Sequence, residues 1–190
     1  TGKKLKFCGK NFISNDGTES FEILEDIAYL FKEELSEEAL QEQKIFDSLG
    51  IINLSYFRES LYESVFSEVA KFIDFTQNIK TAEMGGGEGY WGRYLKSKNP
   101  ESEVYLVDIS SEFLKRAPRN LLKVCANMTE EIFEEGSMDL ISFWVSIHHL
   151  KTYELKRAIQ NSIKALKPGG FLLFFEPNND FWVRKMVYKR

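Results

Sequence analysis

Cysteine is nearly absent. Cys8 and Cys125 are the only two, far apart in the chain. That excludes a disulfide-stapled framework and leaves free thiols, the usual state in a reducing compartment. Histidine is as scarce. His148 and His149 are adjacent, so their side chains diverge, and neither has a Cys or carboxylate at zinc spacing. No metal is expected. No apolar run approaches the roughly 18 residues that would span a bilayer, and no charged-then-apolar leader opens the chain. A cytoplasmic protein without a membrane span is the expectation. There is no cationic surplus either: 25 Lys and Arg face 29 Asp and Glu, for a net charge of −4. That balance does not suit a surface that coats nucleic acid, so no nucleic-acid partner is expected. What is present is core-forming material. Hydrophobic residues make up 43% of 190, with 16 Phe and 8 Tyr, enough for one packed domain.

Glycine, sparse elsewhere, concentrates in one place. Thr81-Ala82-Glu83-Met84-Gly85-Gly86-Gly87-Glu88-Gly89 follows an apolar stretch and precedes a helix-like one. Such glycines free the backbone to adopt positive φ and remove side chains from a ligand's path. Their N–H groups could then approach a ligand with a helix N-terminus behind them. Glu83 stands just before them. Val104-Tyr105-Leu106-Val107-Asp108 then reads as a strand ending in a carboxylate, about 20 residues on, where a doubly wound fold places the acid that accepts ribose hydroxyls. A nucleoside-like cofactor is the natural ligand. Gly87-x-Gly89-x-x-Gly92 also satisfies the dinucleotide spacing, so a nicotinamide cofactor is a competing reading at this stage.

The stretch resembles motif I of the class I S-adenosylmethionine (SAM)-dependent methyltransferases. The likeness continues through the loop from Asn127 to Ile141, through Ile147-His148-His149-Leu150, and through Leu166-Lys167-Pro168-Gly169-Gly170-Phe171. None of these three has a dinucleotide rationale. The resemblance is to small-molecule methyltransferase domains, similar to those of ubiquinone and menaquinone biosynthesis. It implies a Rossmann-like α/β fold, a mostly parallel sheet with helices on both faces. It implies that Gly85, Gly86, Gly87 and Gly89 cradle the methionine half of SAM. Glu83 sets the loop and reaches the methionine ammonium through water. Asp108 takes the ribose hydroxyls, and Ile109 packs on adenine. Asn127 stands where the family more often has Asp; its carbonyl can still accept from the adenine amine, with the Met128 N–H donating to the ring. Phe143 and Trp144 close the fourth strand beside the methionine moiety, or else are core aromatics. His148 or His149 is the weak candidate for a general base, against the alternative of a structural turn.

Along the chain, strands alternate with helices from Lys80 onward, which predicts a parallel sheet covered on both faces. The expected division is an N-terminal arm with lid or substrate-side helices over residues 1–75 and a SAM-binding core over 76–190. Within the first part, Thr1 to Gly17 reads as a basic, solvated arm. Phe21 to Leu35 has helical period, Ser36 opens a second helix, and Ser55 caps a third that runs to about Phe75. Tyr56, Phe57 and Tyr62 lie at the right distance to line a substrate pocket. After the fifth strand only Pro177 to Arg190 remains, an amphipathic basic stretch too short for the antiparallel strand pair that ends the family's sheet. A partner copy or a further segment is expected to cover that edge.

Methyl transfer to a small-molecule acceptor, by in-line displacement at the sulfonium, is therefore the expected function. Alignment of the reactants supplies much of the acceleration. Ser142-Phe143-Trp144-Val145 replaces the Asn-Pro-Pro-Tyr type of tetrapeptide found in many enzymes that methylate nucleic-acid amino groups. The alternatives are a SAM-binding protein without transferase activity, and an RNA or protein methyltransferase using its terminal lysines and arginines.

Overall fold

Short β-rich runs and amphipathic helices alternate over most of the chain. The computed structural model describes residues 4–31, 37–48 and 59–176. Five parallel strands build the centre: β5 (Lys80–Met84), β6 (Glu103–Asp108), β7 (Leu122–Cys125), β8 (Met138–Trp144) and β9 (Leu166–Phe175). They are preceded in the chain by four short strands, β1 (Leu5–Cys8), β2 (Asn11–Ser14), β3 (Ser20–Leu24) and β4 (Ile27–Tyr29). All nine join one sheet in the order β1-β2-β3-β4-β7-β6-β5-β8-β9. β4 pairs parallel to β7, while β1 to β4 pair antiparallel with one another.

The N-terminal strands correct two expectations. Residues 4–17 are a hairpin rather than a solvated arm, and residues 20–29 are strands rather than a helix. Phe21, Leu24, Ala28 and Phe31 do recur at helical spacing. The buried positions nonetheless alternate along β3, with Phe21 inward and Ser20 and Glu22 outward. Glu25 and Asp26 settle the matter: both have positive φ, 51° and 63°. Leu24 then faces Ile27 across a two-residue turn of the type I′ kind. No glycine marks it, so periodicity alone pointed to a helix. Residues 32–35 of the expected helix lie outside the described residues, as do Tyr56, Phe57 and the C-terminal stretch after Glu176.

Helices cover both faces. α1 (Glu37–Ser48) reaches the C-terminal ends of the strands, where its last turn meets a cavity through Phe46. α2 (Glu59–Val69), α3 (Tyr90–Lys98) and α4 (Ser111–Arg116) carry apolar residues into one core, with Tyr62, Trp91, Tyr94 and Trp144 at its centre. α2 ends at Val69, about one and a half turns short of Phe75. α5 (Thr152–Ala165) packs Ala158 and Ala165 onto Ala82, Ile141 and Phe143 on the other face. Between β7 and β8 the chain runs without a helix. A cavity of about 670 Å3 opens there, between Phe21 and Ala28 of the N-terminal strands and Ile132 and Phe133 of the connection. The antiparallel strands thus extend the sheet beyond β7, at the edge opposite to the one expected, and β9 is the other edge among the described residues.

The connection from β5 leads to β6 on one side, and β8 lies on the other. Strand order reverses at β5, and a crevice forms beyond the carboxyl ends of the strands at such a reversal. The glycine stretch begins at that end of β5.

Candidate cofactor site

The loop after β5 turns on glycines with positive φ: 65° at Gly85 and 57° at Gly87. A Cβ on Gly85 would lie 2.5 Å from the Met128 methyl and 2.8 Å from the Ser146 Cβ; one on Gly86 would lie 2.5 Å from Leu106. The loop therefore packs backbone directly against the sheet and the opposite wall. At Gly87 the nearest atom to such a Cβ is Phe113 at 3.8 Å, so there the conformation, not the space, calls for glycine.

The loop N–H groups have partners within the protein. Those of Gly85 and Gly86 donate to the Val107 carbonyl at 2.8 and 3.2 Å, and that of Gly89 donates to the Gly86 carbonyl at 2.9 Å. The Gly87 N–H donates to Asp108 Oδ2 at 2.7 Å. An anion cradle built from these four donors is thus not what the loop provides. It provides close approach and a fixed path, which suits a ligand without phosphates. Gly89 stands behind the loop as the N-cap of α3 and is not on the cavity wall.

Asp108 ends β6 and is 7% exposed. Besides Gly87, it accepts from the Ser110 N–H through Oδ1 at 2.8 Å. One carboxylate thus ties the glycine loop to the start of α4 while still lining the cavity.

Glu83 is 2% exposed beneath the loop, with Oε2 accepting from the Gly92 N–H in the first turn of α3 at 2.8 Å. Burial pushes its carboxyl up to about 8, opposed by the Gly92 N–H and reinforced by Asp108. The ordinary value is 4.5. A folded-state value above the unfolded one means that the fold prefers the protonated form. The stabilisation this gives is complete below about pH 4.5, shrinks as pH rises and is gone above about pH 8. Glu83→Gln mimics the neutral acid, so it is expected to match the wild type near pH 5. Above pH 8 it should exceed it by a few kcal/mol, on the scale of about 1.4 kcal/mol per pH unit spanned. Denaturant midpoints at pH 5 and pH 9 check this; parallel losses in both proteins would refute it.

The cavity is about 260 Å3, bounded by the loop, Asp108, Ile109, Asn127, Met128 and Trp144, with Tyr62 and Phe46 on the helical side. Of the residues singled out in the sequence, Glu83, Gly85, Gly86, Gly87, Asp108, Ile109, Asn127, Met128, Trp144 and His149 line it. Phe143 does not. It is wholly buried on the opposite face, stacked on Phe174 at 5.3 Å, because successive residues of a strand point to opposite sides. Trp144 takes the cavity side and stacks on Phe175 and Trp91 at 4.2 and 4.9 Å. Asn127 Oδ1 accepts from both the Thr129 N–H and its hydroxyl, each at 2.9 Å. That uses the two lone pairs of the carbonyl expected to accept from adenine. His148 lies off the wall, with Nδ1 2.8 Å from Glu176 Oε2.

Several wall residues were not legible in the sequence. Phe46 comes from α1, which docks through Gln43 to the Ile109 carbonyl at 2.8 Å and through Asp47 to the Ser110 hydroxyl at 2.6 Å. Val145 holds φ of 54° after β8, rare for a β-branched residue. Ser146 is buried, its hydroxyl donating to the Met84 carbonyl at 2.8 Å.

A reversal crevice with a side-chain-free loop on one strand and a carboxylate ending the next defines a nucleoside-cofactor domain. Known proteins with similar sequences point to a methyltransferase domain. Residues 82–170 match the family model described as a methyltransferase domain. Over 105 residues it is 31% identical to the malonyl-[acyl-carrier protein] O-methyltransferase of Priestia megaterium, covering 53% of this chain and 37% of that one. Over 101 residues it is 28% identical to a tRNA N(3)-methylcytidine methyltransferase of Schizosaccharomyces pombe, covering 47% and 33%. The chain thus spans little more than a third of the length of these curated relatives. Among solved structures, the PH0226 protein of Pyrococcus horikoshii OT3 shares the fold, with a TM-score of 0.61 and 21% identity over 77% of this chain and 66% of that one. Among the described residues no helix is long and apolar enough to cross a membrane, and no cluster of His, Cys, Asp and Glu could hold a metal ion.

Proposed function

We propose that the cavity binds SAM and that the protein transfers its methyl group to a small-molecule acceptor. The observation that carries this reading is Asp108. Its carboxylate holds the glycine loop through Gly87 and lines the cavity beside Ile109. In this reading the ribose hydroxyls reach that carboxylate, and adenine lies between Ile109 and Met128. The methionine half follows the loop over Gly85 towards Glu83. With the Asn127 carbonyl engaged by Thr129, the adenine edge is met by the Asn127 amide nitrogen or by backbone at Met128.

The sulfonium falls on the aromatic side of the cavity, near Trp144 and Tyr62. Aromatic faces favour a cation by about 0.5–2 kcal/mol. Tyr62 keeps its proton, since burial and Glu83 push it up to about 12. When bound, SAM supplies an electrophilic methyl on a good leaving group. The chain's part is to align the acceptor opposite the carbon–sulfur bond and to exclude water.

Phe46, Tyr62, Trp144 and Leu150 give the wall an apolar and aromatic stretch, the kind of lining that takes small organic ligands. That supports a compact acceptor. The two relatives act on a carrier-bound acyl group and on a tRNA base by their names, so neither substrate carries over to this chain. The test is label transfer from methyl-labelled SAM to a panel of phenols, carboxylates, amines and 1,3-dicarbonyls, with a tRNA pool in parallel. Product on a small acceptor supports the proposal. Label on the tRNA alone would replace the acceptor class, and SAM binding with no product in any arm would leave a binding protein.

A further inference from the structure

We propose that Asn127 makes the base end of the cavity a donor site, so that the cofactor's purine is read through its acceptors and its 6-amino group is not read. The site then takes a 6-oxopurine or an unsubstituted purine as well as adenine. This rests on the cofactor reading above and adds base specificity to it.

Asn127 lies just beyond β7, half-buried on the cavity wall. Its Oδ1 accepts from the Thr129 N–H, two residues on, at 2.9 Å. That closes an Asx-turn. A backbone N–H can only donate, so this bond assigns oxygen and nitrogen within the amide. The Thr129 hydroxyl donates to the same oxygen at 2.9 Å. An amide carbonyl has two lone pairs, and both are filled. What the side chain has left for a ligand is its amide nitrogen, with two N–H donors. That nitrogen makes no hydrogen bond among the described residues.

A ligand does not easily win the oxygen back. Thr129 is 5% exposed, and a buried N–H stripped of its partner is unfavourable. The turn is also held by α5. Asn161 donates through Nδ2 to the Thr129 carbonyl at 2.8 Å, and Arg157 pairs with Glu130 at 3.0 Å. The Glu130 N–H in turn donates to the Asn127 backbone carbonyl at 3.0 Å. Both backbone carbonyls of the turn are therefore engaged. Glu154, the carboxylate in the first turn of α5, accepts from the Lys151 N–H at 2.8 Å and the Tyr153 hydroxyl at 3.3 Å. On the donor side, the Met128 N–H stands next in the chain and bonds nothing among the described residues.

Adenine brings an acceptor, N1, and a donor, the 6-amine, to such an edge. N1 takes an N–H from Met128 or Asn127. The amine meets an NH2 group, donor against donor, and gains nothing over water. A 6-oxopurine puts a carbonyl there, which the Asn127 N–H groups bond. Its N1 then carries a proton and gives up the Met128 bond, so gain and loss offset. Unsubstituted purine keeps N1 and removes the opposed donor. Aspartate in the same turn would behave differently. One oxygen would hold Thr129 and the other would face the base as an acceptor, so the amine would be read and an oxo group repelled.

Calorimetry on the full chain measures Kd for three ligands that differ only at purine position 6. They are S-adenosylhomocysteine, its 6-oxo analogue S-inosylhomocysteine and the analogue with no 6-substituent. For the wild type, neither analogue should bind more than about threefold more weakly than S-adenosylhomocysteine. Asn127→Asp should open a gap of about tenfold or more in favour of S-adenosylhomocysteine, the scale of a hydrogen bond to a charged group. Its melting temperature should stay near that of the wild type, because aspartate closes the same turn. The wild-type panel decides whether the amine is read, whatever the variant's stability. A larger wild-type preference for S-adenosylhomocysteine over either analogue overturns the inference and leaves the cofactor reading standing. A folded Asn127→Asp without the gap overturns the role given to Asn127. Binding of none of the three overturns the inference and the cofactor reading together.

Discussion

Asp108→Ala is expected to weaken SAM binding by about 2–3 kcal/mol, roughly 30- to 150-fold in Kd. Two losses combine. The buried acceptor for the ribose hydroxyls disappears, and hydrogen bonds to a charged group are the stronger kind. The Gly87 N–H, now 2.7 Å from Oδ2, also loses its partner, so the loop is no longer tied to the end of β6. Asp108→Asn separates the two effects. Its single carbonyl can hold either Gly87 or a ribose hydroxyl well, and an intermediate affinity is expected. Calorimetry on the three proteins checks the order. An alanine variant within about threefold of the wild type, well under 1 kcal/mol, would detach Asp108 from cofactor binding.

Gly85→Val is expected to cost about 3–4 kcal/mol of stability and to abolish SAM binding. A left-handed φ is strained for any residue with a Cβ, by roughly 1–2 kcal/mol, and over-packing adds about 1–3 more. The Met128 methyl, 2.5 Å from the added Cβ, sits at the end of a flexible chain and can swing away. Ser146 cannot, because its hydroxyl is bonded to the Met84 carbonyl and its N–H to Glu176. Gly87→Ala is the control. Its Cβ would meet only Phe113 at 3.8 Å, so only the conformational strain, about 1–2 kcal/mol, should appear. The sequence puts Gly85, Gly86, Gly87 and Gly89 on an equal footing as the cradle. For stability, the packing makes Gly85 and Gly86 the positions that cannot take a side chain. Denaturant unfolding of both variants gives the comparison, and equal losses would reject the loop geometry.

The centre of the sheet was legible because its signals are local. A β-rich run ending in Asp108 and a glycine cluster each mark a boundary without reference to distant residues, whereas Lys167-Pro168-Gly169-Gly170, read as the turn into the last strand, lies within β9 where its register against β8 shifts. The N-terminal strands were not. The turn at Glu25-Asp26 uses positive φ on two residues with no glycine to announce it. The apolar spacing around it fits a helix as well as a strand, and pairing with β7, almost a hundred residues away, decides the matter. The cavity wall divides in the same way. Gly85, Asp108 and Ile109 follow from motif and register, and Phe143 and Trp144 are separated only by which side of β8 each faces. Phe46 and Val145 depend on how α1 docks and on how Glu176 holds a turn 30 residues earlier in the chain, which no spacing in the sequence expresses.

A crystal structure of the full chain grown with S-adenosylhomocysteine tests the central claim most directly. The ribose hydroxyls should lie within hydrogen-bond distance of the Asp108 carboxylate, with the thioether sulfur on the Trp144 side of the Gly85 turn. The ligand bound elsewhere, or seated there with its ribose turned away from Asp108, would contradict it.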